Sequence, residues 1–310
     1  MLQFFLTSSP IFAVVALGFA AARLRLVTPQ GFAAFAAYAF NLALPALLVA
    51  MLSRQPLGRA FEPRFFAAVL GAGLAVFLAT ALLAATLGRR GLAEAGAYAQ
   101  AATGGNQAFL GVPLMLAVMG ERATGPIAMV ILAEVGLLMP AGLASMGLGR
   151  PRAGGAAGLA GVLARSTLLN PIVLGVAAGA ALGLLGATLS APLERLLTFL
   201  GGSAGPVALF ALGGSLAGQR LGEGWRPVAA LVAAKLVAYP ALAWALLRAA
   251  GLGPDWVAAG TLLAALPTAA YAFVFAQRFE AAPERVSAVI LLSTLAGAVT
   301  FPLAAWLVLR

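Results

Sequence analysis

Two ionisable side chains, Glu134 and Lys235, sit inside long apolar segments of this chain, which has no histidine and no cysteine. A charge near a bilayer centre costs about 2.5–3.5 kcal/mol even on the gentlest scale, so each is a functional candidate by default. Glu134 could carry a coupling proton or make a structural hydrogen bond. Lys235 could hold an anion, pair with Glu134, or snorkel toward the headgroups. The missing histidine and cysteine remove the commonest metal ligand, the commonest catalytic base and all thiolate chemistry. No metal and no cofactor is expected. An intramembrane enzyme would need paired aspartates, a Ser–Lys dyad or a His-rich metal motif, and none is present.

Two polar interruptions of apolar segments offer binding chemistry. Thr103-Gly104-Gly105-Asn106-Gln107 is followed by Pro113, and Leu266-Pro267-Thr268 is followed by Tyr271. Glycine weakens a helix by roughly 1 kcal/mol and proline by roughly 3 kcal/mol. Pro113 frees the carbonyl of Phe109, and Pro267 that of Leu263. Half-helices starting at such breaks present free N–H groups and partial positive charge, which suits an anion. Asn106, Gln107 and Thr268 would add neutral hydrogen bonds. Asn41, four residues before Pro45, could contact a substrate or re-bond the local backbone. Asn170 before Pro171 reads as a helix N-cap with proline at N1, and Ser9 before Pro10 reads the same way.

The elements that must carry these residues follow from composition. Of 310 residues, 63% are hydrophobic and 9% charged, with mean hydropathy +1.02. A chain with so little polar surface cannot coat a soluble core, so a soluble enzyme, a nucleic-acid-binding domain and a disordered chain are excluded. Apolar segments at 9–26, 31–52, 65–87, 97–119, 124–147, 167–187, 197–218, 228–250, 256–277 and 287–309 predict ten transmembrane helices. The first lacks a basic leader and a small-x-small cleavage site, so it reads as a span. Eleven of the 19 basic residues, among them Arg23, Arg89, Arg152, Arg165 and Arg220, fall in the odd loops. Seven, including Arg54, Arg59 and Arg122, fall on the other side. The excess of positive charge places the odd loops in the cytoplasm and both termini outside.

The halves repeat. Ser9-Pro10-Ile11 matches Asn170-Pro171-Ile172, and Pro45 matches Pro206, both at an offset of 161 residues; Pro140 matches Pro302 at 162. A duplicated unit with an odd number of spans enters the membrane the other way up. The fold expected is therefore an all-α polytopic membrane protein of two inverted five-helix repeats, 1–147 and 167–310. A cytoplasmic linker at 148–166 joins them, and the broken helices 4 and 9 cross. In secondary transporters of this kind the substrate sits at the midplane, at the breaks.

Several stretches resemble the auxin efflux carrier family, in its compact bacterial form. They are Phe40 through Leu48, Asn106 through Leu114, Asn170-Pro171, Pro206 through Leu216, Lys235 with Pro240, and Ala265 through Thr268 with Ala276 through Phe279. The family's usual Asn-Thr-Gly at the fourth-span break is Asn106-Gln107-Ala108 here. The resemblance implies a scaffold of spans 1, 2, 6 and 7 and a transport domain of spans 3–5 and 8–10. It also implies secondary active transport of small organic anions, auxin-like or malate- or malonate-like, in the bacterial inner membrane. The expected substrate-binding residues are Asn106, Gln107, Thr103, Pro113, Pro267, Thr268, Tyr271 and Asn41, with Glu134 and Lys235 as ion-coupling or charge-balancing groups. Expected partners are the organic anion and the lipid bilayer, with proton or sodium coupling and a homodimer both compatible, and no nucleic acid. A bile-acid/sodium symporter-like carrier of similar architecture is the alternative.

Overall fold

The computed structural model describes residues 2–54, 61–150, 155–187, 189–218 and 225–310. Arg59, Arg152 and Arg220, which entered the charge balance, lie outside the described residues, as does the side chain of Arg165. All named elements are helices. Among the described residues, seven stretches are long and apolar enough to cross a membrane. In chain order the helices are α1 (Leu2–Arg23), α2 (Pro29–Leu52), α3 (Pro63–Thr86), α4 (Leu92–Thr103), α5 (107–119), α6 (124–149), α7 (Gly155–Leu168), α8 (Pro171–Leu184), α9 (Ala191–Ala217), α10 (Trp225–Ala249), α11 (Pro254–Ala264), α12 (Tyr271–Arg278) and α13 (Pro283–Val308). The fourth and ninth expected spans are interrupted helices, α4 with α5 and α11 with α12.

Proline shapes these helices in a repeated way. Ahead of Pro45, Pro113, Pro140 and Pro240 lies a five-residue π turn: Ala39–Ala43, Gln107–Gly111, Glu134–Leu138 and Ala234–Ala238. In each the residue before the proline donates its N–H to the carbonyl five residues back, for example Met139 to Glu134 and Tyr239 to Ala234. The wider turn makes room for a proline ring that would otherwise press on the carbonyl four residues back. Each turn also carries one of the polar side chains singled out above: Asn41, Gln107, Glu134 or Lys235.

Two local expectations need correction. Pro10 does not open a helix, because α1 begins at Leu2 and runs through it. Ser9 is not an N-cap; its hydroxyl donates to Leu6 O at 3.2 Å, the carbonyl that Pro10 deprives of its partner. Asn170 does cap, its Oδ1 accepting from Ile172 N at 3.0 Å ahead of Pro171. The stretch expected as a loop linker is largely helix α7, which its alanines favour. Thr167 at its end donates to Val135 O at 3.4 Å, in the middle of α6, so α7 packs on α6 before α8 begins.

Packing divides the helices into two sets. In one, α1 lies along the second half of α9, and α8 along α2. In the other, α3 packs with α4 and α10, α4 with α6, and α10 with α11. The α1–α9 contact is a close backbone approach. A Cβ at Gly18 would collide with the Phe210 carbonyl, and one at Gly213 with the Val15 carbonyl. Small residues permit such approach where lipid supplies no hydrophobic drive between helices. We expect Gly213→Val to lose about 1–3 kcal/mol of stability by overpacking. Gly202→Ala, whose Cβ meets nothing within 4 Å, should be neutral. Thermal unfolding in detergent compares the two.

Candidate functional site

The two interruptions meet. Gly105 and Thr268 form an antiparallel bridge, with Asn106 N donating to Pro267 O at 2.9 Å and Ala269 N to Gly104 O at 3.0 Å. Side chains complete the exchange. Thr268 Oγ1 donates to Ala101 O at 2.7 Å, near the end of α4, and Gln107 Nε2 to Leu263 O at 3.1 Å, near the end of α11. That second carbonyl is the one Pro267 leaves without its helical partner. Each break thus satisfies the C-terminal carbonyls of the other's half-helix, as a water-free interior requires.

Glu134 and Lys235 flank this junction. Tyr271 OH donates to Glu134 Oε1 at 2.6 Å and itself accepts from Gln100 Nε2 at 2.8 Å. The Gln107 amide and the Gly105 N–H also face the carboxylate. Lys235, 0% exposed, donates from Nζ to Ala264 O at 2.8 Å, the last residue of α11. A cation at a helix C-terminus is favourably placed. Its ammonium also lies 4.8 Å from the Tyr239 ring centre. Glu134 and Lys235 feel each other's charge, yet the ion pairs among the described residues do not join them.

A cavity of about 420 Å³ opens at the junction, within the range of small-ligand sites. Of the predicted site residues, Asn106, Gln107, Glu134 and Tyr271 line it. Thr103 turns back onto Ala99 O at 2.8 Å, and Thr268 is engaged with Ala101 and Ser293. Asn41 is exposed and donates to Ala37 O at 2.8 Å, so its side chain bonds the backbone of its own helix just before the π turn. Pro113, Pro267 and Lys235 shape the junction from outside the lining. The structure adds residues that sequence reasoning missed: Asn170, taken only as a cap, and Phe40, Phe109 and Phe275 in the wall. Gln100 is also new, although its spacing of three and seven residues from Thr103 and Gln107 put it on their helix face. Among the described residues, the first-turn amides of Ala108, Phe109, Ala270 and Tyr271 have no carbonyl of their own helix to bond and make no backbone bond outside it. All four residues lie on the cavity.

A family of proteins described as membrane transport proteins matches residues 4–149 and 157–305. The chain belongs to this family, that of the auxin efflux carriers. A curated relative from Rhizobium meliloti (strain 1021) is 33% identical over 295 residues, covering 94% of this chain and 91% of the relative. It carries the provisional name malonate transporter. The protein is thus an integral membrane protein of a transport family. That agrees with its apolar helices.

The geometry predicts how Lys235 and Glu134 depend on each other. Lys235→Met leaves Glu134 buried without its compensating charge and should cost about 3–5 kcal/mol. Adding Glu134→Gln should recover part of that loss. A double-mutant cycle on thermal stability measures the coupling.

Proposed function

We propose that this protein is a secondary active carrier of small organic anions that works by alternating access. What carries the reading is the junction itself: two half-helix N-termini and Asn106 converge on one cavity, while the opposite half-helix ends lock each other in place. Two N-termini facing one space favour an anion, and the relative's name points to a small carboxylate such as malonate.

In this reading the chain is two inverted five-helix units, 1–147 and 167–310, joined through 148–166, with α7 serving as the entry to the sixth span. The three ion pairs between helix ends support the side assignment. Arg54–Glu194, Arg122–Asp255 and Arg150–Glu280, at 2.8, 3.4 and 3.2 Å, each link ends that the inverted topology puts on the same face. The first two lie on the face with the termini, outside the cell, and the third lies in the cytoplasm of the inner membrane. α1, α2, α8 and α9 form the scaffold, and α3–α6 with α10–α13 form the moving body. Side-chain ties hold each set together, as in Tyr38–Ser203 at 2.8 Å within one and Arg285–Tyr98 at 2.9 Å within the other, while Thr167–Val135 joins α7 to α6. An apolar boundary lets two rigid bodies move past each other without breaking polar bonds. Coupling runs on protons, with Glu134 as the carboxylate at the site; sodium coupling, as in a bile-acid symporter-like carrier, is the alternative, and a homodimer is compatible with the exposed scaffold.

Uptake of labelled malonate into proteoliposomes tests this. Wild type should accumulate it under an imposed pH gradient, and Asn106→Ala should reduce the rate at least tenfold. Equal flux through both would remove Asn106 from the site. Glu134→Gln should abolish acceleration by the pH gradient, while flux that follows a sodium gradient instead would favour the symporter alternative.

A further inference from the structure

The charges around the cavity set how much negative charge it can hold. Glu134 is the one acid among the described lining residues, and no lysine or arginine joins it. Lys235 is fully buried behind the wall, with its ammonium on Ala264 O and in the field of Glu134. These two charges therefore offset each other and leave no net side-chain charge for a ligand. What remains positive is the pair of helix N-termini, α5 at Gln107 and α12 at Tyr271. Each contributes about half an elementary charge, so together they balance roughly one negative charge. The N-terminus of α8 is already capped by Asn170 Oδ1. Asn106, 5% exposed, also lines the cavity, and its buried Nδ2 has no partner among the described residues. Much of the remaining lining is apolar, including Phe40, Phe109, Ile131, Met139 and Phe275.

From this balance we propose that the site accepts organic acids only as monoanions, so that a dicarboxylic acid enters with its second carboxyl group protonated and carries the coupled proton itself. A second carboxylate would have to lie against apolar wall or beside Glu134. Burying an unpaired charge there costs more than protonating the acid. The proton is bound from water on the side of loading, travels as the acid's own O–H, and is released on the other side when that O–H dissociates to carboxylate. Glu134 then acts by keeping dianions out, which is why pH-driven transport needs it. This inference rests on the organic-anion reading above.

Isothermal titration of the purified, full-length protein with malonate and with monomethyl malonate, between pH 5 and 8, tests it. Monomethyl malonate is a monoanion throughout that range. Above the second pKa of malonate, its apparent Kd should rise roughly tenfold per pH unit, while that of the monoester stays within about twofold. Glu134→Gln should flatten the malonate slope by admitting the dianion. A malonate affinity independent of pH would overturn the inference. So would a monoester affinity that falls with the same slope, since the titrating group would then belong to the protein. If folded wild type binds neither acid at any pH, the organic-anion reading fails, and this inference with it. Binding of the monoester without malonate at any pH would leave the carrier reading standing and overturn the proton-bearing dicarboxylate.

Discussion

A helix broken inside a bilayer must find protein partners for its backbone, because lipid offers none. Here two breaks solve that problem for each other. Asn106 N and Ala269 N reach across to Pro267 O and Gly104 O, while Gln107 and Thr268 cap carbonyls of the opposite half-helices. Because each break is satisfied only while the other stays in register, the four half-helices behave as one unit. The same arrangement puts the first turns of α5 and α12 on a common cavity. Stability and binding capacity therefore arise from a single arrangement.

The prolines play a wider part than breaking helices. Four of them sit just after a π turn, and each of those turns holds a polar side chain at a depth where polar groups are rare. A π turn displaces one residue from the regular helical face, which lets Glu134 and Lys235 reach the junction from α6 and α10. Pro10, Pro206 and Pro302, which match Pro171, Pro45 and Pro140 at the sequence offset of 161–162, have no such turn among the described helices. Prolines that match at one sequence offset thus need not share local structure, since neighbouring side chains such as Ser9 decide how the freed carbonyl is satisfied.

The breaks at 103–107 and 264–271 were legible from Gly-Gly and Leu-Pro-Thr inside apolar runs. Glu134 and Lys235 were legible as charges without a loop to explain them. Illegible were the directions in which these side chains point. Thr103 and Gln107 lie four residues apart on one chain, yet one bonds its own helix and the other bonds α11. The missed aromatic wall, Phe40, Phe109 and Phe275, carried no signal because phenylalanine is ordinary in a membrane helix.

By itself the sequence determined that the chain lives in a bilayer, that its backbone is helical there, where two helices must break, and which few polar groups lie at depth. These are consequences of composition and of backbone chemistry, which act locally. Only the structure decided that the breaks satisfy each other, that Lys235 caps α11 behind the wall instead of facing the cavity, and that Asn41 bonds its own helix. Those outcomes depend on which carbonyl lies within about 3 Å of a donor; for the breaks that distance is set by packing between segments 156 and 167 residues apart, and for Lys235 by packing of α10 on α11.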